Sequence, residues 1–332
     1  MDPRMDADQA AYTQAILDRG AGYPPLVIPA DPRAAPFDEP RRINDLHSAP
    51  LHEGGPVMAD TSEFWLPIRG RRLLCRLHRP APGVLPVMLY IHGGGWVWGS
   101  IDSHDRMARE YAAAAGCAVL LIDYALSPEA VFPQALLECA DVARWVAVQG
   151  SSLGLDPGRI VLGGDSAGGN LAAALGLLFR DAAAPLPLRG LLLNYGVFDH
   201  RLDTPSYREF AEGYGLTLEK MDFYWRAYCP EPAARLNPLA SPLRAELAGL
   251  PPCLVHVAGL DVLASENIAM IERLRAAGVP IEAESFPGVT HGFLRGCGAV
   301  AAADQAVALA GGWLRRVFRT EAAQPPAGAQ AG

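Results

Sequence analysis

The stretch Val161-Leu162-Gly163-Gly164-Asp165-Ser166-Ala167-Gly168-Gly169-Asn170 decides how the rest of this chain is read. An apolar run, Ile160 to Leu162, leads into it, and an Ala/Leu-rich run with helical character, Leu171 to Phe179, leaves it. Between them Gly164-Asp165-Ser166-Ala167-Gly168 fits G-x-S-x-G, a serine carried on a sharp strand-to-helix turn with its hydroxyl above a sheet. A Cβ two residues to either side of that serine would meet neighbouring backbone, so glycine is required there. The serine lies at a helix N-terminus, where free N–H groups and the helix dipole favour developing negative charge.

The pattern occurs a second time. Gly150-Ser151-Ser152-Leu153-Gly154 follows a helical run (Ala140 to Val148) and leads into Leu155-Asp156-Pro157-Gly158, a turn signal. Ser152 has no strand before it and no helix after it. It is read as loop, and Ser166 is the candidate nucleophile.

With 50% hydrophobic and 19% charged residues, the 332-residue chain is globular rather than disordered, long enough for one large domain with additions. A net charge of −8 and the lack of any Lys/Arg block argue against nucleic-acid binding. The six cysteines (Cys75, Cys117, Cys139, Cys229, Cys253, Cys297) are scattered without a C-x-x-C pair, several inside apolar runs, which fits free thiols in a reducing compartment. Met1 to Asp6 lacks the basic and apolar regions of a secretory signal, and no apolar run is long enough to span a bilayer. The expectation is a soluble cytoplasmic protein.

In chain order, a helix from about Ala7 to Leu17 precedes a proline-punctuated stretch and a short helical candidate, Arg41 to His47. This segment, residues 1–55, is too small to bury a core of its own and must lie on something larger. Ser62 to Ile68 and Arg72 to His78 flank Arg69-Gly70-Arg71 as an antiparallel hairpin. Buried strands follow at Pro86 to Ile91, Cys117 to Asp123, Leu188 to Leu193, Cys253 to Val257 and Ile281 to Phe286. Helices at Arg106 to Ala115, Ala135 to Val148, Ala264 to Ala276 and Ala301 to Phe318 alternate with them. Such alternation predicts an α/β fold, a mainly parallel central sheet with helices on both faces. Residues 56–200 and 251–319 form that core. Arg201 to Leu250 breaks the rhythm and is read as an inserted lid, with most of its aromatics forming the lid's own core. The Ala/Pro/Gly/Gln tail, residues 320–332, is expected to be disordered.

Ser166 needs a base to take its proton. Of eight histidines, His291 is best placed, in a loop just past the last strand, because parallel sheets gather their sites at strand carboxyl ends. His256 lies inside an apolar run and is read as a core residue, while His47, His52, His78, His104 and His200 are left as surface residues. The carboxylate that steadies the imidazole is Asp261, at another strand end, where it can also cap the next helix; Glu266 is the rival acid. His92-Gly93-Gly94-Gly95-Trp96 offers side-chain-free N–H groups that can converge on an oxyanion together with Ala167. Gly93, Gly94, Gly95 and Ala167 are the candidate donors, and His92 is read as a brace for the loop. A phosphate cradle is disfavoured because no P-loop lysine follows.

These residues resemble the hormone-sensitive-lipase-like branch of the α/β-hydrolase serine esterases, in its G-D-S-A-G subgroup. His92-Gly93-Gly94-Gly95 and Gly164 to Gly169 match its two motifs, and Asp123-Tyr124-Ala125-Leu126-Ser127-Pro128-Glu129 is similar to the segment between them in bacterial acetyl esterases. The resemblance covers Pro86 to Phe293 and implies an α/β-hydrolase fold with a two-part helical cap, residues 1–55 and 201–250. It also implies hydrolysis of small-molecule esters by water, with no metal or organic cofactor. One departure is visible: Asp261-Val262-Leu263-Ala264-Ser265-Glu266 lacks the family's proline and second aspartate but keeps the first.

The expectation is therefore a carboxylesterase with a Ser166–His291–Asp261 triad working through an acyl-enzyme on short to medium acyl chains. Trp96, Trp98, Asp165, Tyr195, Phe198 and Tyr214 are candidate pocket residues. An amidase, lactonase or carbamate hydrolase on the same triad is the alternative, and an inactive small-molecule receptor a further one, disfavoured because His291 is present. Dimers are common in similar proteins, so a homodimer stays open.

Overall fold

A computed structural model describes residues 2–33 and 36–319. The chain opens with α1 (Ala7–Gly20) and α2 (Asp38–Ser48), followed by a 3-10 turn, Ala49–His52. Next come β1 (Asp60–Ile68), β2 (Arg71–Arg79), β3 (Leu85–Ile91), α3 (Asp105–Ala115), β4 (Ala118–Ile122) and α4 (Gln134–Gln149). β5 (Leu155–Asp165), α5 (Ala167–Arg180) and β6 (Leu188–Asn194) follow, then α6 (Pro205–Glu209) and α7 (Leu218–Tyr228). β7 (Cys253–Leu260), α8 (Ala264–Ala276), β8 (Ile281–Thr290) and α9 (Ala301–Arg319) end the described chain. The tail expected to be disordered lies outside the described residues.

The eight strands form one sheet in the order β1-β2-β4-β3-β5-β6-β7-β8. β1 and β2 are joined through Arg69 and Gly70, both at positive φ (49° and 80°), the twist a two-residue hairpin needs. β2 meets β4 antiparallel, and every pair from β4 to β8 is parallel. Side chains alternate between two cores. Val87, Leu89 and Ile91 of β3 join α4, α5 and α8 on one face, while Met88 and Tyr90 join α3 and α9 on the other. Burial on both faces explains why these strands read as unbroken apolar runs.

The strand order reverses between β3 and β5. The chain runs outward from β3 to β4, then returns to the other side of β3 to start β5. The carboxyl ends of β3 and β5 thus sit side by side, with Ile91 in register with Gly164. That is where a parallel sheet opens a crevice, and both glycine motifs leave the sheet there.

β5 starts earlier than the Asp156-Pro157-Gly158 turn signal suggests. The signal is still expressed: Leu85 pairs with Leu155 but Val87 with Ile160, so the intervening residues bulge out, and Gly158 N–H closes onto Asp156 Oδ1 at 2.9 Å. α1, α2 and α7 close over the carboxyl ends of the strands. Arg41 of α2 fastens this layer by a bidentate pair with Glu129 (2.6 and 2.7 Å) and by donating to the carbonyls of Ser127 and Val97. Glu129 of the Leu-Ser-Pro-Glu segment is therefore a clasp for the N-terminal helices.

Candidate active site

Ser166 sits between the end of β5 and the start of α5 with φ 55° and ψ −119°, a backbone conformation a side-chain-bearing residue adopts only under constraint. Gly164 and Gly168 supply the constraint. A Cβ on Gly164 would press into the Gly168 backbone and lie 2.7 Å from the Ile91 carbonyl oxygen, and one on Gly168 would overlap that same oxygen. Ser166 N–H donates to the Asn194 carbonyl at 2.9 Å, which locks the turn onto β6. The serine is 7% exposed.

Three strand ends bring the polar groups together. His291, just after β8, places Nε2 2.8 Å from Ser166 Oγ. Its Nδ1 lies 2.6 Å from Asp261 Oδ2, just after β7. Asp261 is 1% exposed, and its other oxygen accepts from Leu263 N–H at 3.0 Å at the entry to α8. One carboxylate thus both closes the turn that leads into α8, whose N-cap is Leu263 without a side-chain cap, and orients the imidazole. This relay is the geometry through which a serine hydroxyl loses its proton.

Glu266 does not compete for His291. It is buried, its Oε1 accepts from Phe198 N–H at 2.7 Å, and burial pushes its carboxyl well up. His256 is a core residue with Nδ1 2.9 Å from Asn194 Oδ1, and burial pushes it down to about 3. Two histidines expected at the surface are buried instead: His78 lies 3.0 Å from Asp105 and His104 3.4 Å from Asp165 Oδ1. Tertiary pairing with a carboxylate, invisible in sequence order, draws both inward.

Gly93 was expected among the oxyanion donors, yet its N–H is committed to Asp165 Oδ1 at 3.1 Å. The N–H groups of Gly94, Gly95 and Ala167 donate to no protein acceptor among the described residues. Gly95, at φ 60°, also has the Tyr224 ring of α7 pressed against it, so that a Cβ would come within 2.5 Å of the ring. His92 braces the loop. Its Nδ1–H donates to the Gly93 carbonyl at 2.8 Å, and its ring stacks on Tyr124 with centroids 4.3 Å apart. Burial pushes His92 down to about 3, so it stays neutral.

Asp165 holds this loop from below. It accepts from Tyr90 Oη (3.0 Å) as well as from Gly93 N–H, with His104 Nε2 alongside. Burial acts to raise its carboxyl, but His104 and Tyr90 outweigh it and leave the group below the usual carboxylate range.

A cavity of about 370 Å³ opens over Ser166 and His291. Trp98 and Asp165 line it as expected of pocket residues. Four other candidates do not. Trp96, at φ 60°, turns its ring away to stack on Tyr228 with centroids 4.1 Å apart. Tyr195, at φ 36°, packs behind His291, ring centroids 5.0 Å apart, in the opposite core. Phe198 is buried in the sheet's other core, and Tyr214 donates to Asp2 Oδ2 at 2.5 Å beside the cavity mouth. The walls that sequence reasoning missed are Gln9, Tyr12 and Ile16 of α1, Leu216 and Tyr224 around α7, and Arg295 beyond His291. Among the described residues no cluster of three or more His, Cys, Asp or Glu side chains is placed to hold a metal ion.

Residues 88–295 match a family described by its alpha/beta hydrolase fold. The chain belongs to this family. Among curated relatives of this hydrolase fold, it is 34% identical over 315 residues to an ethyl acetate hydrolase of Pseudomonas putida, covering 92% of this chain and 96% of that one. It is 37% identical over 283 residues to esterase LipI of Mycobacterium tuberculosis, covering 80% and 83%. Among solved structures, a hyperthermophilic esterase from the archaeon Pyrobaculum calidifontis superposes with a TM-score of 0.86 at 31% identity, covering 94% of this chain and 98% of that one. A thermostable esterase from Pseudomonas putida gives the same TM-score and identity over 97% and 100%. The esterase resemblance drawn from the motifs and the expected fold are both borne out.

Proposed function

We propose that this hydrolase is a serine carboxylesterase acting through an acyl-enzyme on Ser166. The observation that carries the reading is the Ser166–His291–Asp261 relay, at 2.8 and 2.6 Å, on a backbone turn that only glycine neighbours permit. Relatives named as ester hydrolases along nearly the whole chain support it.

In this reading His291 Nε2 takes the proton as Ser166 Oγ attacks the ester carbonyl. Asp261 holds Nδ1–H and stabilises the imidazolium that forms. The N–H groups of Gly94, Gly95 and Ala167 receive the oxyanion, Ala167 with the added field of the α5 N-terminus. Losing one such donor costs about 3 kcal/mol of transition-state stabilisation. His291 then protonates the leaving alcohol, and water repeats the sequence to release the acid.

Residues 2–33 and 36–55, with the insertion 201–250, act as the cap, and the cavity they close is near the small end of the roughly 300–1,000 Å³ range of ligand sites. Short and medium acyl chains, about C2 to C8, fit it. Rates on p-nitrophenyl esters should peak in that range; rates climbing steadily to palmitate would contradict the size argument. Fluorophosphonate labelling should be lost in Ser166→Ala, and its absence from the wild-type chain would refute the nucleophile.

Six buried free cysteines suit a reducing compartment, and the cytoplasm is the proposed location. No helix among the described residues is long and apolar enough to cross a membrane. A homodimer is proposed on family resemblance alone; light scattering at two protein concentrations tests it.

A further inference from the structure

The charges around the cavity are one-sided. Two cations, Arg295 and Lys220, face it, and the one lining carboxylate among the described residues is Asp165. Asp165 is already occupied by Tyr90, Gly93 and His104. The chain has 36 acidic residues and a net charge of −8, yet among the described residues no other acid lines this cavity to answer the two cations.

Arg295 shows the imbalance most clearly. It lies in the 3-10 turn Phe293–Gly296, just beyond His291, and its Nε and Nη2 are buried without a hydrogen-bond partner among the described residues. Other partly buried arginines are satisfied: Arg41 pairs with Glu129, Arg71 with Glu138, and Arg76 with Glu63, Asp102 and Asp105. Leaving guanidinium N–H groups buried and unmet is costly, so a site that keeps them is built for something that meets them. Nε and Nη2 form one edge of the guanidinium, the edge that takes both oxygens of a carboxylate in parallel. Tyr12 Oη of α1, also on the cavity wall, is a second buried polar atom without a partner among the described residues.

Lys220 adds to the field. It is the single lysine of the 332-residue chain, and its ammonium donates to the Gly215 carbonyl at 2.7 Å rather than to an acid. Burial lowers its pKa, as expected of a cation with no anion beside it. Nearby His52 is pushed down to about 4, by burial first and then by the charge of Arg295.

We propose that this corner of the cavity recognises a carboxylate on the ester substrate, with Arg295 pairing to it. The substrates are then half-esters of dicarboxylic acids or acylated hydroxycarboxylic acids. The inference rests on the esterase reading and deepens it by naming the substrate class.

Binding and turnover test it separately. Calorimetry on the wild-type chain at low salt should show glutarate binding about tenfold or more tighter than neutral glutaramide, a difference that shrinks as salt is added. Monoethyl glutarate against ethyl pentanoate probes a carboxylate on the acyl side; 3-acetoxypropanoate against propyl acetate probes the alcohol side. One charged ester should exceed its neutral counterpart by about tenfold in kcat/KM, and Arg295→Met should bring that ratio towards one. Equal binding of glutarate and glutaramide, with neither charged ester preferred, overturns the proposal. If Arg295→Met does not fold, the wild-type salt dependence decides, and a ratio indifferent to salt counts against it. Glutarate bound with no ester cleaved would instead sink the esterase reading and leave the anion site standing.

Discussion

Gly164 to Gly168 and Gly150 to Gly154 satisfy the same five-residue pattern and fold into unrelated objects. In the first, glycine is needed for closeness: a Cβ at either end would run into backbone, and the serine between them takes φ 55° with its hydroxyl against His291. In the second, Gly154 is needed for handedness, closing a 3-10 turn at φ 67°. Its Ser152 is exposed and bonds back to the Gln149 carbonyl at 2.7 Å, a local turn contact. A motif therefore names residue types, and the strand before it and the helix after it decide which physical demand those residues meet.

The largest expected difference between the two is in rate. Ser166→Ala should lower kcat/KM on a short p-nitrophenyl ester by on the order of 10⁴-fold or more, while Ser152→Ala stays near wild type. Comparable losses at both serines would erase the distinction. The next is in stability. Gly168→Ala forces a methyl onto the Ile91 carbonyl, which nothing nearby can relieve, so little soluble folded protein should form. Gly154→Ala meets only the flexible end of Arg79 and a positive-φ penalty of about 1 kcal/mol. Thermal unfolding of the two variants side by side checks this, and equal melting temperatures would show that closeness at the elbow is not limiting.

The same contrast explains what could be read from the sequence. Strand ends were legible because buried parallel strands are unbroken apolar runs, and that located Asp261 and His291 as partners for Ser166. Side-chain direction after a motif was not. Trp96 follows the glycine loop directly, yet its left-handed φ sends the ring to Tyr228, and Tyr195 is turned behind His291 in the same way. Nor could the sequence say that α1 would bring Gln9 and Tyr12 to the cavity, since a weakly amphipathic helix gives no bearing on where it docks. His104 and Arg295 depend on which carboxylates the fold brings near them. Distance along the chain carries no record of that.

Asp165 separates the two patterns by a smaller and more specific effect. The corresponding position of the other pattern is Ser151, an exposed residue of the 3-10 turn. Asp165 is buried and joins Tyr90, His104 and the Gly93 N–H, which ties the glycine loop to the elbow. Its carboxyl ionises more readily in the folded chain than in the unfolded one. A group with a depressed folded pKa contributes stability that is complete above the ordinary carboxylate range and lost as pH falls through its folded value. Asp165→Asn keeps the shape and removes that titration, so the variant should lose stability at neutral pH yet show a flatter decline towards acid than wild type. Activity should fall about tenfold, mainly in kcat, because the loop that presents Gly94 and Gly95 loses an anchor rather than a donor. Parallel acid limbs for the D165N and wild-type chains in a melting-temperature series from about pH 7 to pH 3, spanning the carboxylate range, would place the loop's support elsewhere, in His92 and its stack on Tyr124.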